Sequence, residues 1–309
     1  MSATASLCAE RVEAAGPLPS SLGESPVWNS TQNSLYWVDI PGKKIFSLQP
    51  ESGVRTEWVL PERVACIAFG PGGGLLAGLE TGLFSVPLSE IGCADEVNHA
   101  QVRKLAAPDF PLPNMRFNDG RCDRQGRFVA GTMLQDVSAA RPVGALYCLD
   151  IEGNLSKPVV DSLIVPNGLS WSPCGRTMYL ADSHASRCVV WAFDYNIETG
   201  EPSNRRVFAD FRSHAGRPDG AAIDADGCYW ICALDAGRVL RFTPQGKLDR
   251  EIVVPAGRPT MCAFGGPNLD TLYITSMRPE FGANEHDGHI FVALPGVTGF
   301  PECTYQGAL

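Results

Sequence analysis

The sequence predicts an all-β fold, a six-bladed β-propeller forming a single domain over residues 1–309. Three observations carry this expectation. No segment shows the apolar period of an amphipathic helix, whereas short apolar runs bounded by Asp, Gly, Pro and Asn recur throughout. Glycine (32 residues) and proline (24) make up about 18% of the chain, against roughly 12% in average proteins. That surplus suits at least about eighteen hairpin turns, three for each four-stranded blade. Above all, one unit repeats six times at a spacing of roughly 40 to 50 residues, the length of a propeller blade. A β-helix coil is shorter than this, and a pair of sandwiches has no need of the regularity.

The first unit, SPVWNSTQNSLYWVDIPGKKIFSLQPESG, runs from Ser25 to Gly53: a short strand, a polar turn, the strand LYWVD, a turn at Pro41-Gly42 and a third strand. The second, CIAFGPGGGLLAGLETGLFSVPL, starts at Cys66. Its Gly72-Gly73-Gly74 lacks the Gly-Lys-Ser/Thr ending of a phosphate-binding loop and reads as a turn. The third, DGRCDRQGRFVAGTM from Asp119, is continued by GALYCLDIEGN. The fourth is NGLSWSPCGRTMYLADSHASRCVVWAFDYNIETG from Asn167, and the fifth DGAAIDADGCYWICALDAGRVLRFTPQGK from Asp219. The sixth, MCAFGGPNLDTLYITS from Met261, is finished by GHIFVALPG. The repeats therefore start near residues 24, 66, 118, 167, 219 and 261. Propellers commonly close by pairing a terminal strand with the last blade, and the candidates are Ala14 to Pro19 or the tail near Tyr305.

Charge and cysteine usage narrow the partners. With 25 Lys+Arg against 34 Asp+Glu and a formal charge of −9, no basic surplus exists to neutralise phosphates, so neither nucleic acid nor an anionic membrane is expected. No apolar run approaches the length of a membrane span. The N-terminus has no basic start or apolar core of a secretory signal, so the expected compartment is the cytoplasm and the sequons at Asn29 and Asn154 are idle. The eleven cysteines contain no Cys-x-x-Cys pair and are expected to be buried, reduced thiols. The expected state is a monomer or weak homo-oligomer.

The register of the repeats carries the chemistry. Glu24 in LGESPVW, Asn118 in RFNDGRC, Asn167 in VPNGLSW and Asp219 in RPDGAAI all stand at the start of a repeat's first strand. In a propeller those strands line the central channel, so equivalent positions converge at one mouth. Each motif alone is an ordinary turn. Together they gather carboxylate and amide oxygens, the hard ligands that hold a divalent cation.

At these residues the chain resembles the regucalcin/gluconolactonase (senescence marker protein) family of six-bladed propeller lactonases, over about Leu22 to Gly299. The motifs are LGESPVW with LYWVDI, RFNDGRCDRQGRFVAGTM, GALYCLD, PNGLSWSPCGRTMYLADS, PDGAAIDADGCYW and FGGPNLDTLYITS, six in order. The resemblance implies Glu24, Asn167 and Asp219 as ligands of one divalent metal ion, whether calcium, zinc, magnesium, manganese or iron. It implies Arg116 and Asn118 as residues that hold the hydroxyl and carbonyl oxygens of a sugar lactone, and Asp136 in GTMLQD as a further binder of substrate hydroxyls. The chain departs from the family at Asp235-Ala236-Gly237, where many bacterial members carry a Trp-Gly-Gly type turn, and at Cys122 and Cys232.

The expected reaction is metal-dependent hydrolysis of an aldonolactone to the aldonic acid. Ring opening needs a polarised carbonyl, a nucleophilic water and a place for the oxyanion, and a metal ion supplies such chemistry. Asp219 is the expected general base, with His184 beside Asp182 and Ser183 as its rival. A promiscuous ester or organophosphate hydrolase and a non-catalytic calcium-binding scaffold are the alternatives. The absence of a Gly-x-Ser-x-Gly elbow disfavours a serine hydrolase. Asp224-Ala225-Asp226-Gly227 lacks the terminal Glu of an EF-hand and reads as a hairpin turn, and His286 and His289 read as loop residues.

Overall fold

The computed structural model, which describes residues 5–11, 19–88 and 98–309, is a six-bladed β-propeller. The inner strands of the blades are Gly23–Asn29, Val64–Phe69, Met115–Cys122, Pro166–Trp171, Arg217–Ile223 and Pro259–Gly265. From each, the chain steps outward through antiparallel neighbours, as in blade four with Thr177–Asp182, Val189–Tyr195 and Pro202–Asp210. The second strands are rich in Leu, Tyr, Trp and Val, and SLYWVD and YWICAL are buried along their whole length. Such two-sided burial explains why they read as continuous apolar runs rather than alternating ones. Apart from short 3-10 turns, the described residues contain no helix, and among them no helix is long and apolar enough to cross a membrane.

Six apolar clusters fill the wedges between adjacent blades and so close a ring. Trp28, Trp37 and Phe46 of blade one meet Tyr273 of blade six. Val129 and Leu146 of blade three meet Trp171 and Tyr195 of blade four. Trp230 of blade five meets Phe264 of blade six at 6.0 Å between ring centroids, edge to face. Large aromatic side chains suit this role because each wedge widens outward from the axis and must be filled to native density. Ten of the cysteines are described, all as free thiols, and seven of them are buried in these layers.

Closure differs from both candidates read in the sequence. Glu10–Arg11 pairs antiparallel with Phe291–Val292 and supplies the outer strand of blade six. Of the segment Ala14 to Pro19, residues 14–18 lie outside the described residues. The C-terminal tail adds no strand; instead it crosses beneath the channel. Phe300 N donates to Ile223 O (3.1 Å), Tyr305 N to Phe69 O (2.7 Å) and Gln306 N to Gly126 O (3.0 Å), touching blades five, two and three. Arg121, buried on the inner strand of blade three, donates to Glu302 Oε1 of this tail (2.9 Å), to Ser170 Oγ (3.2 Å) and to Ala221 O (2.8 Å). A cavity of about 10 Å³ remains beside Ser25, Gly120 and Met261, room for about one water. The tail therefore closes this end, and a substrate must enter from the opposite face, where the inner strands begin. Removing the carboxylate with Glu302→Ala takes one charged acceptor from Arg121 and leaves Asp119 as its acidic neighbour, and urea unfolding is expected to show a loss of about 2 kcal/mol.

Candidate active site

The inner strands share a local irregularity. Register shifts fall between Glu24 and Val27, Val64 and Cys66, Phe117 and Gly120, Asn167 and Ser170, Pro218 and Ala221, and Pro259 and Cys262. All six lie at the same height around the axis. A bulge re-aims the side chains beside it and bends the strand, so polar residues can face the channel while the rest of the strand keeps its blade pairing. The backbone meets the requirement with Ser25 at φ 49° and Gly168 at φ 60°. A Cβ at Gly168 would fall 2.4 Å from Tyr229 Oη, which itself donates to Gly168 O at 2.7 Å. Only glycine fits there, next to Asn167.

Four of the residues singled out in the sequence meet at this level. Arg116 Nη1 donates to Asn118 Oδ1 (2.8 Å) and to Phe117 O (2.8 Å). Asn118 Nδ2 donates to Asn167 Oδ1 (2.9 Å) and to Pro166 O (3.0 Å). Asn167 Nδ2 then donates to Ser183 Oγ (2.8 Å), and Ser183 Oγ donates to Pro218 O beside Asp219. This arc runs from blade three to blade five and fixes each amide. Both hydrogens of Asn118 are spent within it, so toward a ligand Asn118 offers oxygen, while donors come from Arg116.

Glu24, whose Oε2 accepts from Ser25 N (3.3 Å), and Asp219 complete the ring. Burial, then the Asp219 and Asp119 carboxylates, push Glu24 well above the usual carboxylate range, against small opposition from Ser25 N and Arg116. Asp219 is likewise pushed well up, first by burial, with Arg217 opposing and Asp119 and Asp235 adding to it. The Asp219 carboxylate accepts no hydrogen bond from a described residue. Asp119, passed over in the sequence as half of an Asn-Asp-Gly turn, is the third buried acid. Its Oδ2 accepts from Leu169 N (2.8 Å), but its Oδ1 is buried with no partner. Burial raises its pKa, and Arg121 on the same strand face opposes.

Asp219 and Asp119 push Glu24 upward and Asp119 pushes Asp219 upward, so these carboxylates, beside the amide oxygens of Asn167 and Asn118, form an all-oxygen site of crowded negative charge. Hard divalent cations suit that donor set. No three His, Cys, Asp or Glu side chains form a metal cluster among the described residues; here the third donor type is an amide oxygen.

Other residues fall elsewhere. Asp136 is exposed, and its Oδ1 accepts from Ser138 N (3.1 Å) and Ser138 Oγ (2.5 Å), capping its own 3-10 turn. Its neighbour Gln135 instead accepts a hydrogen bond from Arg63. Asp182 is fully buried and accepts from Ile164 N (2.9 Å) and Val165 N (3.0 Å), a scaffold role. His184 Nδ1 is engaged with Ser186 Oγ (2.8 Å) within its loop. Asp224 accepts from Cys228 N, Trp230 Nε1 and Arg241 Nε at 2.8–2.9 Å, an interior hairpin lock. Asp235 binds Arg217 (2.8 Å) and Arg258 (3.1 Å) at the rim.

The family described as the SMP-30/gluconolactonase/LRE-like region matches residues 22–278, which span all four of these channel positions. The chain belongs to that family. It is 36% identical over 296 residues to a 6-deoxy-6-sulfogluconolactonase of Pseudomonas putida, covering 94% of this chain and 96% of that protein. Regucalcin of Oryctolagus cuniculus is 34% identical over 307 residues, covering 96% and 99%. Among solved structures, the calcium-binding protein regucalcin from Agrobacterium tumefaciens superposes with a TM-score of 0.86 at 25% identity, over 97% of this chain and 98% of that one.

Proposed function

We propose that the chain is a divalent-cation-dependent lactonase that opens an aldonolactone ring to the aldonic acid. The observation that carries this reading is the half-buried Glu24 with the buried Asp219 that pushes it upward, set beside the Arg116–Asn118–Asn167 arc. Relatives named as a gluconolactonase and as a calcium-binding protein point the same way. Glu24, Asn167 and Asp219 would hold the ion, with calcium, zinc, magnesium, manganese and iron all admitted by the donors. Such an ion polarises a carbonyl and acidifies a bound water.

The chain's own residues supply the rest. Arg116, oriented by its bonds to Phe117 O and Asn118 Oδ1, has Nε and Nη2 open, and one of them suffices for a carbonyl or hydroxyl oxygen of the lactone. Asn118 presents its oxygen to a substrate hydroxyl, and Asp136 would meet only a hydroxyl projecting out of the mouth. Asp219 would take the proton of the attacking water on the carboxylate oxygen not held by the ion. The buried channel end below Arg121 keeps bulk water from that side.

Asp119 would raise the ion's affinity by adding its charge beside Glu24 and Asp219, both of which it pushes upward. Asp119→Asn keeps an oxygen for Leu169 N while removing the charge, and calorimetry is expected to show cation affinity falling about 10–100-fold. The reaction itself is tested by following proton release from a panel of sugar lactones and aryl esters. Cation-dependent acceleration on lactones supports the proposal. Acceleration on esters alone favours the ester-hydrolase alternative, and none on either favours a calcium-binding scaffold.

A further inference from the structure

We propose that the rim of the channel carries a subsite for an oxyanion attached to the sugar, a phosphate, sulfonate or carboxylate on its exocyclic end, bound between Arg63 and Arg116. For the sugar ring this rests on the lactonase reading above; what it adds is the charged group.

Arg63 stands immediately before the inner strand of blade two, and Arg116 lies near the start of the inner strand of blade three, so the two stand on adjacent blades, near enough for the charge of Arg63 to act on Arg116. Each guanidinium is held through a single nitrogen. Arg63 Nη1 donates to Gln135 Oε1 and pairs loosely with Glu80 Oε1 at 3.6 Å, while Arg116 Nη1 is taken by Phe117 O and Asn118 Oδ1. Nε and Nη2 of both therefore have no hydrogen-bond partner among the described residues. Two planar forks with open donors, fixed from behind, match the geometry by which guanidinium groups take oxyanions.

Charge at the rim agrees. Arg63 pairs with Glu80, which also accepts from Gln135 Nε2 (3.3 Å) and Arg63 N (3.3 Å), while Arg116 feels Glu24 and, less strongly, Glu80. Burial and the nearby Arg63 together hold Arg116 down to about 10, with Glu24 and Glu80 opposing. Such like-charge crowding is costly in the free protein and is relieved by an anion between the heads. The other acids nearby are committed: Glu62 accepts from Thr81 N (2.9 Å) and Thr81 Oγ1 (2.8 Å), and Asp136 is turned to Ser138. Gln135, a neutral amide, stands where a carboxylate would have cancelled Arg63. Across the mouth, Arg217 and Arg258 also share one acid, Asp235. The net charge of −9 does not oppose this, because at physiological salt charges beyond roughly 8 Å are largely screened.

The test compares 6-phosphogluconate with gluconate by calorimetry on the full chain, alongside turnover of the 6-phosphorylated and the neutral glucono-δ-lactone. The 6-sulfonate and 6-carboxylate analogues then rank the anions. The phosphorylated acid is expected to bind at least about tenfold tighter than gluconate. Arg63→Gln, which retains a side chain able to reach Glu80, is expected to bring that ratio near one, and Arg63→Lys to keep part of it. Thermal unfolding of both variants checks the fold. Equal binding of the two acids by the unaltered protein, or a preference that survives Arg63→Gln, overturns the subsite. An Arg63-dependent preference without turnover of any lactone leaves the subsite standing and removes the lactonase reading; turnover without preference does the reverse.

Discussion

Asp219→Asn is expected to lower lactone turnover by about 10²–10⁴-fold, the contribution typical of a positioned general base. The substitution keeps the side chain's size and an oxygen that can reach a cation, so it removes the proton acceptor and one charge rather than the shape of the site. It also carries a second, opposite signature. The buried Asp219 disfavours the charge of the half-buried Glu24. Neutralising one of them relieves that repulsion, so the cation-free variant is expected to unfold at a higher temperature than the cation-free parent at neutral pH. Loss of activity together with gain of stability is what a site kept for function at the expense of folding displays. A variant with near-normal rate and cation content contradicts the role given to Asp219. One that loses both activity and stability points to a structural part instead.

The same two carboxylates set the second large expectation, the coupling of cation binding to pH. Both have pKa values raised in the folded chain above the unfolded value of about 4. Between the unfolded and folded pKa values, the folded state holds protons that the unfolded state has released. Stability contributed by these groups therefore falls as pH rises through that window. A cation takes the place of the protons at neutral pH but competes with them in acid. At a concentration of 100 Kd, a ligand specific to the folded state adds about 2.7 kcal/mol, a rise in Tm on the order of 5 °C for a chain of this size. Thermal unfolding with and without calcium is expected to give the larger shift at pH 7.5 and the smaller at pH 5. A shift that grows toward acid pH would contradict the placing of the ion between Glu24 and Asp219.

The blades were legible because their physics is local. LYWVDI, TMYLADS and CYWICAL are apolar throughout, and the turns between them carry their own Gly, Pro and Asn signals. The channel residues were legible only through repetition: RFNDGRC by itself is a turn, but beside VPNGLSW and RPDGAAI it marks a shared height on the axis. Asp119 was hidden for a related reason. On a regular strand it would face away from Asn118, and the bulge between Phe117 and Gly120 that brings it to the channel leaves no composition signal. Arg63 precedes a strand that shows no polar channel residue, and its value depends on Gln135, far along the chain. The Arg121–Glu302 contact joins residues 181 apart, beyond any pattern of period. Closure by Glu10–Arg11 is set by two residues, too short to read against the apolar background. Asp136 was carried by motif alone, and the cap it forms with Ser138 follows from the common preference of Asp for its own backbone two residues on.

The most direct measurement titrates one divalent ion into chelator-stripped protein, following site occupancy by calorimetry and glucono-δ-lactone hydrolysis by proton release in the same samples. The expected result is a rate that rises in proportion to occupancy and levels off at one ion per chain, with Asp219→Asn flat throughout. Full activity in the stripped protein, or no acceleration over spontaneous hydrolysis at full occupancy, would contradict the account.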